Sequence, residues 1–177
     1  IRYYHEWNVT TARARQIQDE LKNRVCCEGE PVSVRYVAGV DVSVNRFRKT
    51  GTAAIAVLAY PEMSVVEVSR VTDSIRFPYV PGLLTFREAP LVLKACEKLE
   101  INPDLFLVDG QGYAHPRRIG LASHLGLCLD TPTIGCAKSR LIGEFEEPGQ
   151  TAGSESALVD SKETIGCLLY TSPSPRD

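Results

Sequence analysis

The chain switches hydrophobic period several times, and each switch marks an element. Residues 8–25, NVTTARARQIQDELKNRV, place Ala14, Ile17 and Leu21 on one stripe at helical spacing, with Thr10 or Thr11 as the cap. The next apolar stretch is β-branched, VSVRYVAGVDVSV, and predicts a strand over Tyr36–Val44. GTAAIAVLAY predicts a second strand. A Pro61-Glu62 turn then leads into the alternating SVVEVSRVT, a third. Three strands joined by short turns imply an antiparallel meander.

Beyond residue 84 the pattern becomes helix and strand in alternation. Thr85–Leu99 reads as a helix. DLFLVDG is a continuous apolar run, as expected of a central strand buried on both faces. HPRRIGLASHLG reads as a short helix, with Pro116 suited to its first turn and Gly126 to its end. TPTIGCAK is a further short strand, and ETIGCLL the start of one more. The order β-β-β-α-β-α-β predicts an α/β domain: three antiparallel strands and then parallel strands in one mixed sheet, with helices on both faces. Residues 1–167 form that single domain. The last ten, LYTSPSPRD with the leucine before it, carry no core pattern and are read as a non-native or disordered tail to a chain incomplete at its C-terminus.

Composition narrows the class. The chain has 177 residues, 44% of them hydrophobic and 24% charged, as in an ordinary soluble globular protein. No apolar run approaches the ~20 residues of a membrane helix, and no signal peptide is visible. The net charge of −2 argues against wholesale polyanion binding but leaves room for a local basic site. Six cysteines include no C-x-x-C pair, and none of the three histidines has zinc-ligand spacing to a cysteine. The cysteines are therefore expected to be reduced thiols, with Cys96, Cys128, Cys136 and Cys167 buried, in a cytoplasmic protein.

Several polar residues interrupt apolar patterns. Asp41 sits between Val40 and Val42, where a lone carboxylate is costly unless paired or holding a cation. Asp109 ends the most apolar strand, and ligands of open α/β sheets gather at the carboxyl ends of strands. The alternative there is a plain Asp-Gly turn. Glu88 completes a Thr85-x-x-Glu88 capping box, yet it also lies on the face of Leu91, Val92, Ala95 and Leu99, so both readings stay open. Together the three carboxylates suit Mg²⁺, a hard, oxygen-preferring ion. From His115 to Arg140 the chain carries Arg117, Arg118, Lys138 and Arg140, and a helix start near His115 would add amide donors for an anion. Lys138 directly follows a short strand expected to be buried. In PYVPGLLTFREAP, Tyr79 sits on a stiff turn: it packs locally, serves as a Pro-x-x-Pro ligand, or enters a base stack as a rigid wedge.

The segments VAGVDVSV, PYVPGLLTFREAP, DLFLVDGQGYAHPRRIGLASHLG and TPTIGCAKSRL resemble the endonuclease V family, the deoxyinosine 3′ endonucleases, over about residues 5–166. The resemblance implies a ribonuclease H-like fold. It implies that Asp41, Glu88 and Asp109 bind Mg²⁺, for which Mn²⁺ substitutes, and that Lys138 lies near the scissile phosphate, with His115 also in the catalytic set. Pro78, Tyr79, Val80 and Pro81 would separate strands at the lesion. Gly82, Leu84, Gly110, Gly112, Ile119, Gly120 and Ala122 would form the pocket for a flipped hypoxanthine, with Arg117 also on the substrate. The implied activity is cleavage of the second phosphodiester 3′ to deoxyinosine in DNA by a monomer that needs no membrane. Two rivals share these residues: a nuclease acting on inosine in RNA or on nucleic-acid structure, and a truncated chain that binds inosine-containing nucleic acid without cutting it.

Overall fold

The computed structural model describes residues 1–29, 33–45 and 47–171. The chain forms two compact units, Ile1–Lys138 and Ser139–Asp177.

In the first unit, helix α1 (Thr11–Leu21) is followed by the meander β1 (Tyr36–Asn45), β2 (Thr50–Ala59) and β3 (Ser64–Ser74). Then come α2 (Leu84–Cys96), β4 (Leu105–Val108), α3 (Leu121–Leu129) and β5 (Thr133–Gly135). The five strands form one sheet in the order β3-β2-β1-β4-β5. β1–β2 and β2–β3 pair antiparallel, whereas β1–β4 and β4–β5 pair parallel. This is the expected mixed sheet and the expected sequence of elements.

Local chemistry explains several boundaries. Thr10 caps α1 by accepting from the Arg13 amide at 3.2 Å. α3 runs past Gly126 to Leu129 and ends on Asp130 in the left-handed region, φ 53°. The expected capping box at Glu88 is absent: α2 begins one residue earlier, and its N-cap is Leu83, with no side-chain cap bond. The helix expected from His115 starts only at Leu121, so Pro116 lies before it and the start of that helix is not at His115. Gly120, its N-cap, is glycine for lack of space. A Cβ there would lie 2.4 Å from the Gln111 carbonyl oxygen.

The core lies between the sheet and its helices. Ala38, Val40, Ala53, Ile55, Val57, Phe106 and Val108 meet Leu91, Val92, Ala95, Leu121, Ala122 and Leu125. A second cluster joins Ala14, Ile17 and Leu21 of α1 to Phe77, Leu83, Phe86 and Ile119. On the other face of the sheet Ala54, Val66, Val68 and Ile134 are exposed. The helical cover anticipated for that face has no counterpart among the described elements of the first unit. β4 is consequently half-open, with Leu105 and Leu107 partly exposed, rather than buried on both faces.

The second unit is a hairpin, β6 (Glu155–Asp160) with β7 (Glu163–Leu169). ETIGCLL is therefore a strand, as expected, but its partner ESALVD was not anticipated. Leu168 and Leu169 belong to β7, and the Tyr170 amide bonds the Ser154 carbonyl at 2.8 Å. Three residues of the expected tail thus pair in or beside β7, and residues 172–177 of it lie outside the described residues. No disulfide joins the cysteines among the described residues, and only Cys128 is buried; Cys136 and Cys167 are exposed, against expectation. No helix among the described residues is long and apolar enough to cross a membrane.

One core feature is polar. His5, Trp7, Phe86 and His124 pack ring against ring, His5 and His124 with centroids 5.0 Å apart and Trp7 and Phe86 5.8 Å apart. The His5 Nδ1 faces the Glu6 carbonyl at 2.9 Å, so it carries the proton, because a carbonyl only accepts. Its Nε2 then accepts from the His124 Nε2–H, also at 2.9 Å. This bond needs a neutral His5. Burial pushes His124 down to about 3, with the His5 charge adding to the effect. Burial also lowers His5, opposed by the Glu6 carbonyl and by Glu6 and Glu20 and reinforced by Arg13.

Unfolded histidine titrates near 6.5, so below that pH the unfolded chain takes up protons that the fold refuses. The stability contributed by His124 is complete above pH ~6.5 and is lost as the pH falls from there. Urea midpoints should drop between about pH 7 and about pH 5, and His124→Leu should flatten that drop. An equally steep acid loss in the variant would show that His124 does not control it.

Candidate active site

The parallel register of β1 and β4 builds the site. Val40 pairs with Val108 as the last rung of that ladder. The next residues, Asp41 and Asp109, are thereby set side by side, and the Asp109 amide donates to the Val40 carbonyl at 3.0 Å. β5 adds the third side: the Cys136 amide donates to the Val108 carbonyl at 2.9 Å. Two residues later the Lys138 ammonium donates to the Asp109 carboxylate. That hydrogen bond, and the charge of Asp109, raise the Lys138 pKa.

Asp41 does not bear the burial cost anticipated from its neighbours. Asp41 lies on the face of β1 away from the core, between the core-packed Val40 and Val42; it is exposed, and its Oδ1 accepts from the Val42 amide at 2.9 Å. Lys138 likewise follows an open strand, since Ile134 and Gly135 are exposed. An open cleft of about 500 Å³ runs along the sheet face here, with Asp41, Asp109, Cys136 and Lys138 on its wall.

Glu88 reaches the same charges from α2. It is 8% exposed. Burial pushes its carboxyl up to about 7; the charges of Asp41 and Asp109 add to this, while Arg87 opposes it. Among the described residues, no three His, Cys, Asp or Glu side chains stand close enough together, as placed, to hold a metal ion.

The second part of the site is the loop before α2. Buried Phe77 and Leu83 anchor its ends, and Tyr79 between them is 65% exposed. Gly82 takes φ 76°, a conformation that favours glycine. Its carbonyl accepts from the His115 Nε2–H at 2.9 Å and from the Arg117 Nη2 at 3.0 Å. His115 accepts the Arg117 amide at Nδ1, 3.1 Å away, so both ring nitrogens are occupied in the neutral tautomer. Burial holds its pKa at about 4. The structure thus places His115 beneath the loop, with Arg117, and not in the pair formed by Asp109 and Lys138.

The remaining expected residues are spread between loop and core. Leu84 opens α2, while Gly110 and Gly112 follow Asp109 in the turn after β4. Ile119 and Ala122 are fully buried in the two apolar clusters, and Gly120 is buried beside them. The basic segment from 115 to 140 is not one face: Arg117 turns inward, and Arg140 in the second unit donates to the Gly143 carbonyl and stacks on Phe145. A different basic cleft, of about 570 Å³, flanks Tyr79 and is lined by Lys49, Arg76 and Arg87 with Asn45. The Arg87 guanidinium lies 5.8 Å from the Tyr79 ring centre. These cations come from a hairpin turn, a strand end and a helix, so no sequence run marks them. Gln18, fully buried on α1, also joins the loop network. Its one trace in the sequence is a polar residue within the stripe of Ala14, Ile17 and Leu21.

The sequence profile of the Endonuclease V family matches residues 19–176. The chain is 50% identical over 171 residues to an Endonuclease V of Dehalococcoides mccartyi, covering 97% of this chain and 77% of that one. The chain belongs to the Endonuclease V family. It superposes on the crystal structure of Endonuclease V from Streptomyces avermitilis with a TM-score of 0.86 at 43% identity, covering 93% of this chain and 73% of that one. The Endonuclease V of Ciona intestinalis, solved with a 24mer DNA containing an inosine followed by a ribo-adenosine, matches with a TM-score of 0.66 at 34% identity. That match covers 72% of this chain and 57% of the Ciona chain. The five-stranded mixed sheet is thus the ribonuclease H-like sheet of the Endonuclease V family, and the chain is a nuclease by descent.

The raised Glu88 pKa has a measurable sign. The folded chain keeps that proton up to about pH 7, whereas an unfolded glutamate ionises near 4.5. Glu88 therefore burdens the fold at about pH 8 and ceases to do so below its unfolded value. Glu88→Gln should stabilise the protein by roughly 1–3 kcal/mol at that alkaline pH in urea titrations, with the gain fading toward pH ~4.5. An unchanged midpoint at about pH 8 would mean that the carboxylate is well solvated.

Proposed function

We propose that the chain is a Mg²⁺-dependent endonuclease that cuts DNA at the second phosphodiester 3′ to deoxyinosine. The observation that carries this reading is the pairing of Asp41 and Asp109 at the end of the β1–β4 ladder, with Lys138 on Asp109. The inosine-containing DNA bound by the Ciona relative supports the choice of base.

The donor types suit a hard divalent cation, although the three carboxylates as placed would have to draw closer to hold one. Two adjacent carboxylates and a third whose ionisation they oppose form an oxygen-rich, mutually repelling group that a cation relieves. Asp41, Asp109 and Glu88 would hold Mg²⁺, or Mn²⁺ in its place, and the ion would supply an acidified water and charge for the leaving oxygen. Lys138 is exposed, so its ammonium is open to a substrate phosphate that displaces it from Asp109. Tyr79 projects from a loop anchored at both ends and enters the base stack beside the lesion. Inosine pairs poorly, so extruding it costs less than extruding a normal base. The backbone around Gly82, Gly110 and Gly112, with Leu84, receives it, while Ile119, Gly120 and Ala122 support that surface from the core. The basic cleft beside Tyr79 accepts the phosphate backbone.

A second reading has its own support. The ribo-adenosine after the inosine in the Ciona complex raises inosine in RNA as a substrate. End-labelled duplexes with one deoxyinosine, one adenine in its place, or one inosine in an RNA strand distinguish the two. Cutting confined to the deoxyinosine strand supports the main reading, and cutting confined to RNA supports the second. Asp109→Ala should abolish cutting, by at least ~10³-fold, and leave DNA binding within a fewfold. An Asp109→Ala protein that still cuts would rule out this carboxylate site.

A further inference from the structure

α1 carries a residue that its amphipathic pattern does not require. Gln18 lies among Ala14, Ile17 and Leu21, and its side chain is completely buried. A primary amide removed from water is costly unless both of its edges are bonded. Both are. Its Nε2 donates to the Gly82 carbonyl at 3.1 Å and to the Ile119 carbonyl at 3.3 Å. Its Oε1 accepts from the Arg117 Nε at 2.7 Å. Only this orientation of the amide satisfies all three bonds, because the two carbonyls accept and the guanidinium donates.

We infer that Gln18 is a positioning residue that clamps the Tyr79 loop to the segment from His115 to Ile119, keeping the projecting ring and the base-receiving backbone in register. The inference rests on the reading of substrate given above. The Gly82 carbonyl is the node of the clamp: it receives donors from Gln18, His115 and Arg117. His115 and Arg117 come from one loop and so tie two loops together. Gln18 ties both to α1, which packs through Ile17 and Leu21 into the cluster of Phe77, Leu83 and Phe86. A side chain at Gly82 would be strained at φ 76°, and its Cβ would sit 3.1 Å from the Arg117 Nη2, which would have to give by a few tenths of an ångström. Gln18 lines neither of the two clefts described above. It acts through Gly82 and Arg117.

Two variants separate positioning from mere stability. Gln18→Glu keeps the acceptor for Arg117 but turns an oxygen toward two carbonyl oxygens. Gln18→Met keeps the length and removes both edges. Each is compared with the wild-type chain in three measurements. The first is affinity for an unmodified duplex against one with a single deoxyinosine. The second is the fluorescence of a 2-aminopurine placed next to the deoxyinosine, which rises when the base is unstacked. The third is amide hydrogen exchange across the chain.

Both variants should bind unmodified duplex within about twofold of wild type and lose about tenfold in preference for the deoxyinosine duplex. The fluorescence rise should disappear with that preference. Exchange should quicken at residues 80–84 and 117–120 and stay unchanged in β1 and β2. Variants that retain preference, fluorescence and exchange overturn the inference. So does exchange that quickens uniformly, which would make Gln18 a general stabilising residue. A wild-type chain with no preference for deoxyinosine would instead remove the substrate reading and the positioning role built on it, while local quickening at residues 80–84 would still establish the clamp.

Discussion

The site depends on one rung of the sheet. Val40 and Val108 end the parallel ladder between β1 and β4, and the two aspartates are the next residues on each strand. Side chains alternate faces along a strand, so a register slip of one residue would put Asp41 and Asp109 on opposite faces. The buried side chains that hold the register, Ala38, Val40, Phe106 and Val108, are therefore as necessary to the proposed chemistry as the carboxylates. β5 extends the same logic, because its pairing to β4 through Thr133–Gly135 delivers Lys138 to Asp109.

Around that rung the protein places buried polar groups where rigidity is useful. The Gly82 carbonyl gathers three donors beneath an exposed tyrosine, and the loop ends are sunk in apolar packing. A loop held in this way loses little freedom when it meets a partner. The His5–His124 pair applies similar constraints to the N-terminal segment against α3, with hydrogen-bond directions that need a neutral His5 and burial that disfavours a charged His124. Each node trades some intrinsic stability for a single arrangement, because each polar atom has few alternative partners in an apolar setting.

Periodicity made the elements legible: the meander, the two strands that follow it and the helices between them occur in the expected order. Boundaries were less legible where tertiary contacts decided them. Thr85 and Glu88 have the spacing of a capping box, yet Glu88 is buried within the influence of the Asp41 and Asp109 charges, and the helix starts at Leu84 without a cap bond. HPRRIG reads as a helical turn, but the bonds of His115 and Arg117 to Gly82 hold it as a loop. DLFLVDG reads as doubly buried because an apolar run cannot reveal which face lacks a cover.

The sequence by itself determined which residues carry charge and rigidity: the three carboxylates, the lysine after β5, and a tyrosine between prolines. Those are matters of residue type and local backbone, and they survive any packing. Which residues meet was decided by tertiary structure. Lys138 reaches Asp109 across 29 positions and Gln18 reaches Ile119 across 101. No local period encodes such contacts. They follow from parallel strand pairing and from the way α1 packs over the loop, both of which bring together segments that are remote in the chain.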